Sequence, residues 1–498
     1  MIVERSSGVL LHPTSLPGRY GIGDMGKEAY EFIDFLEGAK QKLWQVLPLG
    51  HTGFGDSPYQ CFSAYAGNPI LISPDKLYEI DLLSEEDLKD IPAFDPIAVE
   101  YGEVIVYKYD LLKKAYSKFI SNNDEKIQEK YNDFVAKNSA WLNDYALFMA
   151  LKDYHGGASW YTWEKDIANR EVKAIEAWSE KLAVEAGFYK FVQFIFDMQW
   201  SELKEYANSK GVKIVGDIPM FVAYDGSEVW SNRELFELDD AGNPKGVAGV
   251  PPDAFSADGQ LWGNPLYDWK KMKETGYAWW ISVLSSMLDK VDIIRIDHFR
   301  GFHEYWRIPY GDKTATGGKW VEGPADSLFE AVEKALGKLP IIAEDLGFIT
   351  PGVLELRDKF DFPGMNILMY GFGDDGAENT FLPHHHSANS VVYTGTHDND
   401  TMWAAYQDYS EEVKDYVKKY VNTTNDGPEI VWDIIRIAYA STAVMAVIPL
   451  QDLMCLGSEA RMNTPGTSAG NWRWRFKKEM ITEEISEKLI ELTTVYGR

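Results

Sequence analysis

The sequence has 498 residues, 45% of them hydrophobic and 25% charged, which places it among ordinary globular chains with enough length for a large core or several domains and excludes a disordered polypeptide. Its 49 basic and 77 acidic residues leave a formal charge of -28, a field that repels phosphate backbones and anionic headgroups, so neither nucleic acid nor a membrane surface is an expected partner. Aromatic residues make up 14%; such rings fill cores, and their flat faces also stack on sugars, which a neutral ligand with no charge to steer it requires.

The chain starts MIVERSSGVLLHPTSL, with Glu4 and Arg5 where a signal peptide needs a basic start and a long apolar run, and no stretch of about 18 apolar residues follows anywhere. A soluble cytoplasmic protein is expected, or a plastid one whose transit peptide has been removed. The first strand candidate is GVLLHP (8–13), followed by GIGDMG (21–26) and the helical pattern GKEAYEFIDFLEGAKQK (26–42). LWQVLPL (43–49) is the second. A long helical stretch rich in Lys, Glu and Trp covers about 70–210, read as a subdomain beside the body of the fold. KIVGDIP (213–219) is the third strand, and the segment 222–265 after it, dense in Gly, Pro, Asp and aromatics, reads as a loop able to fold over a site. This second insertion extends to about 290. The remaining candidates are DIIRIDHF (292–299), LPIIAEDL (339–346), MNILMYGF (365–372), SVVYTGTHDN (390–399) and VMAVIPLQDL (444–453).

Near-continuous apolar runs mean strands covered on both faces, as in parallel sheets, and eight of them alternating with helical patterns predict an α/β fold, a (β/α)8 TIM barrel. A bare barrel needs about 250 residues, so much of the chain consists of insertions into one catalytic barrel spanning 1–498. The 45 or so residues after the eighth strand are too few for a separate C-terminal β-sandwich. Cys61 and Cys455 have no CxxC partner and no metal-ligand spacing, and read as buried thiols.

Chemistry in such barrels collects at the C-terminal ends of the strands, and those ends are acidic. The third strand ends in Asp217, the fourth in Asp297, the fifth in Glu344 and Asp345, and the seventh in His397, Asp398 and Asp400. Converging carboxylates bind a metal, bind a cation, or act as acid and nucleophile on a glycosidic bond. His298 and His397 lie among them, yet there is no HExxH motif and no regular ligand spacing, and the HHH run at 384–386 sits in a polar loop. Pairing with Arg295 and Arg300 alone explains single acids but not four strands ending alike. The glycosidase reading fits the group: a nucleophile, a general acid, and Arg295, two residues before Asp297 and on the same strand face, to lower the nucleophile's pKa. GIGDMG matches GxGxxG, but no acidic ribose partner follows about 20 residues on, so it is not expected to bind a dinucleotide.

These segments resemble the 4-α-glucanotransferases, also called amylomaltases or disproportionating enzymes, of the α-amylase superfamily. The resemblance is carried by LLHPTSLPGRYGIGDMG (10–26), WQVLPLG (44–50), GDSPYQCFSAYAGNP (55–69), GDIPMFVAYDGSEVW (216–230), GVPPDAFSADGQLWGNPLYDW (249–269), RIDHFRGF (295–302), IIAEDLG (341–347), VVYTGTHDNDT (391–401), RMNTPGT (461–467) and NWRWR (471–475). That family also lacks the C-terminal sandwich. The resemblance implies Asp297 as nucleophile, Glu344 as acid/base and Asp398 as a third carboxylate that binds sugar hydroxyls in the transition state. On chemistry alone Asp345 and Asp400 compete with them. It further implies Arg295, His298 and His397 at the cleavage point, Ser57, Tyr59, Asp217, Trp262 and Asn264 along the cleft, and Asp253, Phe255 and Ser256 in a lid loop. Asp374, Asn463 and Pro465 are weaker carry-overs, and HHHS (384–387) departs from the family pattern.

The implied activity is retaining transfer of α-1,4-glucan segments to the 4-hydroxyl of another glucan or of glucose, with malto-oligosaccharides, amylose or glycogen-derived glucans as partners and no cofactor or metal. An α-glucan hydrolase using the same acids is the alternative; a catalytically silent glucan-binding protein would not keep all three.

Overall fold

The structure, a computed structural model, describes residues 4–121, 124–252, 256–373 and 375–498. Among the described residues eight parallel strands form one sheet: β1 (Ser6–Leu10), β2 (Leu43–Gln45), β3 (Lys213–Ile218), β4 (Ile293–Ile296), β5 (Ile341–Ala343), β6 (Gly364–Ile367), β7 (Ser390–Tyr393) and β8 (Met445–Pro449). Neighbours in sequence are neighbours in space, and β8 pairs with β1. The ring closes between β5 and β6, where the Ala343 N–H donates to the Pro363 carbonyl at 2.9 Å. This is the expected (β/α)8 barrel, and each sequence candidate falls on one of its strands.

The candidates overrun the strands, mostly at the C-terminal end, for one physical reason. TGTHDN, EDL and DHF continue the runs with polar residues, and the chain leaves the ladder where those groups turn to the barrel mouth: β7 stops at Tyr393, β5 at Ala343 and β4 at Ile296. The strands are buried on both faces, Val9, Trp44 and Ile294 on one and Val215, Ile342, Val391 and Val447 on the other. Trp160, Trp200, Trp230 and Trp280 are also fully buried, so much of the aromatic content is core. One unit departs from the repeat: between β6 and β7 only short 3-10 turns occur among the described residues.

Residues between β2 and β3 form a run of helices, including Tyr101–Ser121, Ser139–Tyr154 and the long Ala183–Ser209. Helix Tyr101–Ser121 is fixed to the barrel by a buried ion pair, Lys108 Nζ to Asp24 Oδ2 at 2.6 Å. That pair explains GIGDMG. Asp24 also accepts from the Gly26 N–H at 2.9 Å, Gly21 takes a positive φ of 78°, and a Cβ on Gly23 would overlap the Pro13 carbonyl. The glycines serve close packing and a tight turn.

Part of the segment read as a loop after β3 is ordered as strand. Gly246–Val250 and Gln260–Pro265 pair antiparallel and join Glu304–Pro309 and Lys319–Glu322 in a small four-stranded sheet. Half of its hydrogen-bonding partners come from the β4–β5 connection, far along the chain, so the segment alone carried no hairpin signal. Trp306 faces Trp320 across it with ring centroids 5.0 Å apart. No helix among the described residues is long and apolar enough to cross a membrane.

Candidate active site

β3 and β4 run in register with Asp217 beside Arg295, and this pairing builds one wall of the mouth. The buried Arg295 guanidinium donates through Nη1 to Asp217 Oδ2 at 2.6 Å and to Asp297 Oδ1 at 3.1 Å. The Tyr59 hydroxyl donates to the same Asp217 oxygen at 2.7 Å. Asp217 Oδ1 is buried with no partner among the described residues.

After Asp297 the backbone reverses through His298 in the left-handed region, φ 52° and ψ 46°, a conformation that costs a non-glycine residue about 1–2 kcal/mol. The turn points the His298 N–H at Glu344 Oε2, 2.6 Å away, while the Leu346 N–H reaches Oε1 at 3.0 Å. Asp345, the next residue, turns away: Arg357 donates to it at 2.5 Å and the Met365 N–H at 2.8 Å. Geometry thus separates the two acids that chemistry alone left equal. Asp345 pins the β5–β6 seam, and Glu344 stays within the field of Arg295.

Burial is the largest influence on both Asp297 and Glu344 and raises both carboxyls. Arg295 opposes it in each case. For Asp297 the charges of Asp217, Glu344 and Asp398 add to the rise; for Glu344 the two backbone N–H groups work against it. The expected lowering of Asp297 by Arg295 is therefore corrected: the arginine acts in that direction, but burial among three further carboxylates outweighs it. His298 is buried and depressed to about 3 by desolvation, with Arg300 adding to the effect, so its imidazole is neutral, and its Nε2 has no partner among the described residues.

The opposite wall comes from the loop after β7. Asp398 is half exposed and accepts from Asn463 Nδ2 at 2.6 Å; the Asn463 N–H donates to the His397 carbonyl at 3.1 Å. Arg461 Nη2 holds the Asp398 carbonyl at 3.0 Å and its Nε the Asn463 carbonyl at 2.8 Å. Asp400 is engaged elsewhere, by Ser458 Oγ at 2.8 Å and Arg461 at 3.6 Å. The His397 ring stacks on Tyr59 at 5.0 Å and 19°, which joins the two walls. Burial lowers His397, and Asp398 opposes the shift.

Trp262 meets the His298 ring edge-on at 4.8 Å. Asn264 is tied between Gln60 Nε2 (3.2 Å) and the Val222 carbonyl (2.9 Å), Ser57 Oγ accepts from the Tyr59 N–H at 3.2 Å, and Ser256 Oγ bonds the Gly259 carbonyl at 2.8 Å. Pro465 is exposed. Asp253, Phe255 and Asp374 lie outside the described residues. The HHH run is engaged locally, its ring nitrogens meeting Tyr420 and the carbonyls of Ala377 and Phe381, each at 2.8 Å.

Sequence reading missed three residues here. Trp472 lies 5.9 Å from both Tyr59 and His397, Tyr370 OH accepts from Asn399 Nδ2 at 2.6 Å, and Arg461 braces the Asp398 loop. Trp472 and Arg461 stand in quoted motifs, but nothing local distinguishes them from packing residues.

A parallel barrel with carboxylates on opposed walls of its C-terminal mouth, stacked aromatic rings between them and a neutral buried imidazole beside them defines a barrel enzyme acting on glycosidic bonds. The chain belongs to the 4-alpha-glucanotransferase family, whose model matches residues 11–482, within the α-amylase clan. It is 50% identical over 502 residues to a 4-alpha-glucanotransferase of Synechocystis sp., covering 100% of this chain and 99% of that one. It is 43% identical over 500 residues to a chloroplastic/amyloplastic one of Arabidopsis thaliana, covering 99% and 86%. The amylomaltase of Streptococcus agalactiae in complex with acarbose superposes with a TM-score of 0.96 at 41% identity, over 99% of this chain and 100% of that one. The enzyme is accordingly of the transglycosidase type, and the hydrolase alternative is not favoured.

Proposed function

We propose that Asp297 is the nucleophile, Glu344 the general acid and base, and Asp398 the carboxylate that grips sugar hydroxyls as the transition state forms. Glu344 protonates the departing glycosidic oxygen while Asp297 attacks C1, and the fragment carrying the reducing end leaves. Glu344, now ionised, takes the proton from the 4-hydroxyl of an incoming glucan, whose oxygen displaces Asp297 with net retention. The observation that carries this reading is the division of labour around Arg295. One guanidinium favours charge on Asp297, while the His298 N–H from the adjoining strand end and the Leu346 N–H just beyond its own strand orient Glu344.

Asp217 Oδ1 and His298 Nε2, both buried and unpartnered among the described residues, each take a hydroxyl of the glucosyl unit at the cleavage point, since buried polar atoms of a working site find partners in the ligand. Tyr59, His397 and Trp262 offer ring faces and edges to the sugar, and Ser57, Asn264, Ser256, Asn463 and Pro465 line or support the cleft. Asp253, Phe255 and Asp374 are assigned to the cleft by family resemblance alone. Segment 70–210 is a helical subdomain beside the mouth, and 222–290 supplies its cover. Donors are malto-oligosaccharides and amylose- or glycogen-derived glucans, with glucose among the acceptors. The cytoplasm is the proposed compartment; the plant relatives marked chloroplastic/amyloplastic keep a plastid as the alternative.

Incubation with maltotriose alone tests the activity. Glucose appearing beside maltopentaose and longer chains, with reducing ends constant, is the expected result. Rising reducing ends with only glucose and maltose would mean that water intercepts the glycosyl-enzyme.

A further inference from the structure

We propose that Asp452 is a positioning residue for Asp398, its one buried carboxylate pinning both feet of the 394–402 segment that carries His397 and Asp398. Asp452 follows β8 and is buried. Its Oδ2 accepts from Thr394 Oγ1 at 2.5 Å, where the segment leaves β7, and its Oδ1 accepts from the Met402 N–H at 2.7 Å, where the next helix begins. The two oxygens of a carboxylate diverge and both accept, so one side chain spans the base of the nine-residue segment.

A small cavity, partly open to solvent and lined among others by Leu10, His12, Thr396, Thr401, Asp452 and Arg461, lies against the segment. Thr394 and Met402, at its two feet, are buried, and the hydrogen bonds to Asp452 join them. Asn463 and Arg461 brace its crown, and among the described residues Asp452 is the side chain that bonds both of its feet. No basic side chain pairs with Asp452 among the described residues, although isolating a carboxylate from water is costly; a group kept at such cost needs a use, and burial pushes it up to about 6. The inference rests on the proposed role of Asp398. Asp452 touches no reacting atom and acts through the loop.

The test is a double-mutant cycle in kcat for transfer from α-glucosyl fluoride to maltose, followed by fluoride release. Asp452→Ala is expected to lower kcat about a hundredfold, the cost of displacing a catalytic group by roughly an ångström, while KM stays within about twofold. Thr394→Val, which frees one foot, falls between Asp452→Ala and wild type. In an Asp398→Ala background the same Asp452→Ala change then costs less than about threefold, because the group it positions is gone. Wild-type kcat in Asp452→Ala, or the full hundredfold loss persisting on top of Asp398→Ala, overturns the inference. A lowered Tm with unchanged kcat well below it also overturns it, since that marks a merely structural role. If Asp452→Ala does not fold, Asp452→Asn, which keeps an acceptor for Met402, and Thr394→Val carry the same cycle. Near-normal activity of Asp398→Ala by itself would instead overturn the assignment of the third carboxylate, and this inference with it.

Discussion

The two walls of the mouth hold their acids by different means. On the β3–β5 side each functional carboxylate lies within a strand or one residue beyond it: Asp217 inside β3, Asp297 after Ile296, Glu344 after Ala343. Ladder register and one buried guanidinium fix them, with little freedom left. On the β7–β8 side Asp398 stands five residues beyond Tyr393, half exposed, and depends on side chains from after β8, namely Asn463, Arg461 and Asp452. The groups proposed to form or break a bond with C1 sit on the rigid wall, as positioning within a fraction of an ångström demands. The group proposed to grip hydroxyls sits on the more exposed, side-chain-held one.

The comparison breaks most visibly at the nucleophile. Asp297→Asn is expected to lower transfer from maltotriose by about four orders of magnitude or more, measured by chain-length separation of products; near-normal turnover removes the covalent role. Glu344→Gln comes next, with a loss of about a thousandfold for maltotriose, within the range of general acid catalysis. With α-glucosyl fluoride, whose leaving group needs no proton, the glycosylation step is spared.

The pH profile sharpens the same point. In its proposed role Asp297 works as an anion, and its carboxyl is raised, so activity is expected to fall as pH drops through a value above the ordinary carboxylate range of about 4. In its proposed role Glu344 works protonated and is also raised, so activity is expected to fall again as pH rises through its value. The two limbs belong to the coupled pair. Glu344→Gln removes the alkaline limb and keeps the acid one; a profile of that variant with both limbs intact assigns the proton elsewhere.

What could be read in the sequence follows the same division. Strand-end acids next to apolar runs are local signals, so the barrel and the carboxylates at its mouth were legible from spacing. Choosing Glu344 over Asp345 was not, because the difference is Arg357, twelve residues on. The two-residue period of a strand placed Arg295 beside Asp297, but the direction of the pKa shift depended on how many other carboxylates burial brings together. The small antiparallel sheet was invisible because its strands are short and their partners distant. Asp452 and Trp472 were hidden for a related reason: a buried acid after a strand and a tryptophan in a polar motif gain a role only when the β7 loop is folded against them.

On the more exposed wall, Asn463→Ala removes a charge-assisted hydrogen bond to Asp398, a type of bond contributing about 1.5–3 kcal/mol. A decrease in kcat of about ten- to a hundredfold is expected in the maltotriose assay, with the protein otherwise folded. An unchanged kcat would show that Arg461 and Asp452 suffice to hold the loop.

The smallest effect concerns stability and lies behind the rigid wall. Glu228, buried after β3, accepts from Ser63 Oγ at 2.7 Å and Ser227 Oγ at 3.1 Å, with no cation paired to it among the described residues, and burial raises it to about 7 from 4.5. The folded state therefore binds this proton more tightly than the unfolded state does. Between about 4.5 and 7 the native protein holds more protons, so stability declines as pH rises through that window and levels off above it. At about 1.4 kcal/mol per unit the decline from this group reaches at most about 3.5 kcal/mol. Glu228→Gln, which cannot titrate, loses that slope while leaving transfer activity unchanged. Denaturant midpoints of both proteins at pH 5 and pH 8 read the difference: the variant gains relative to wild type at pH 8 and not at pH 5. Parallel behaviour of the two across that range would mean that Glu228 stays ionised, held by the Ser63 and Ser227 hydroxyls without a cation.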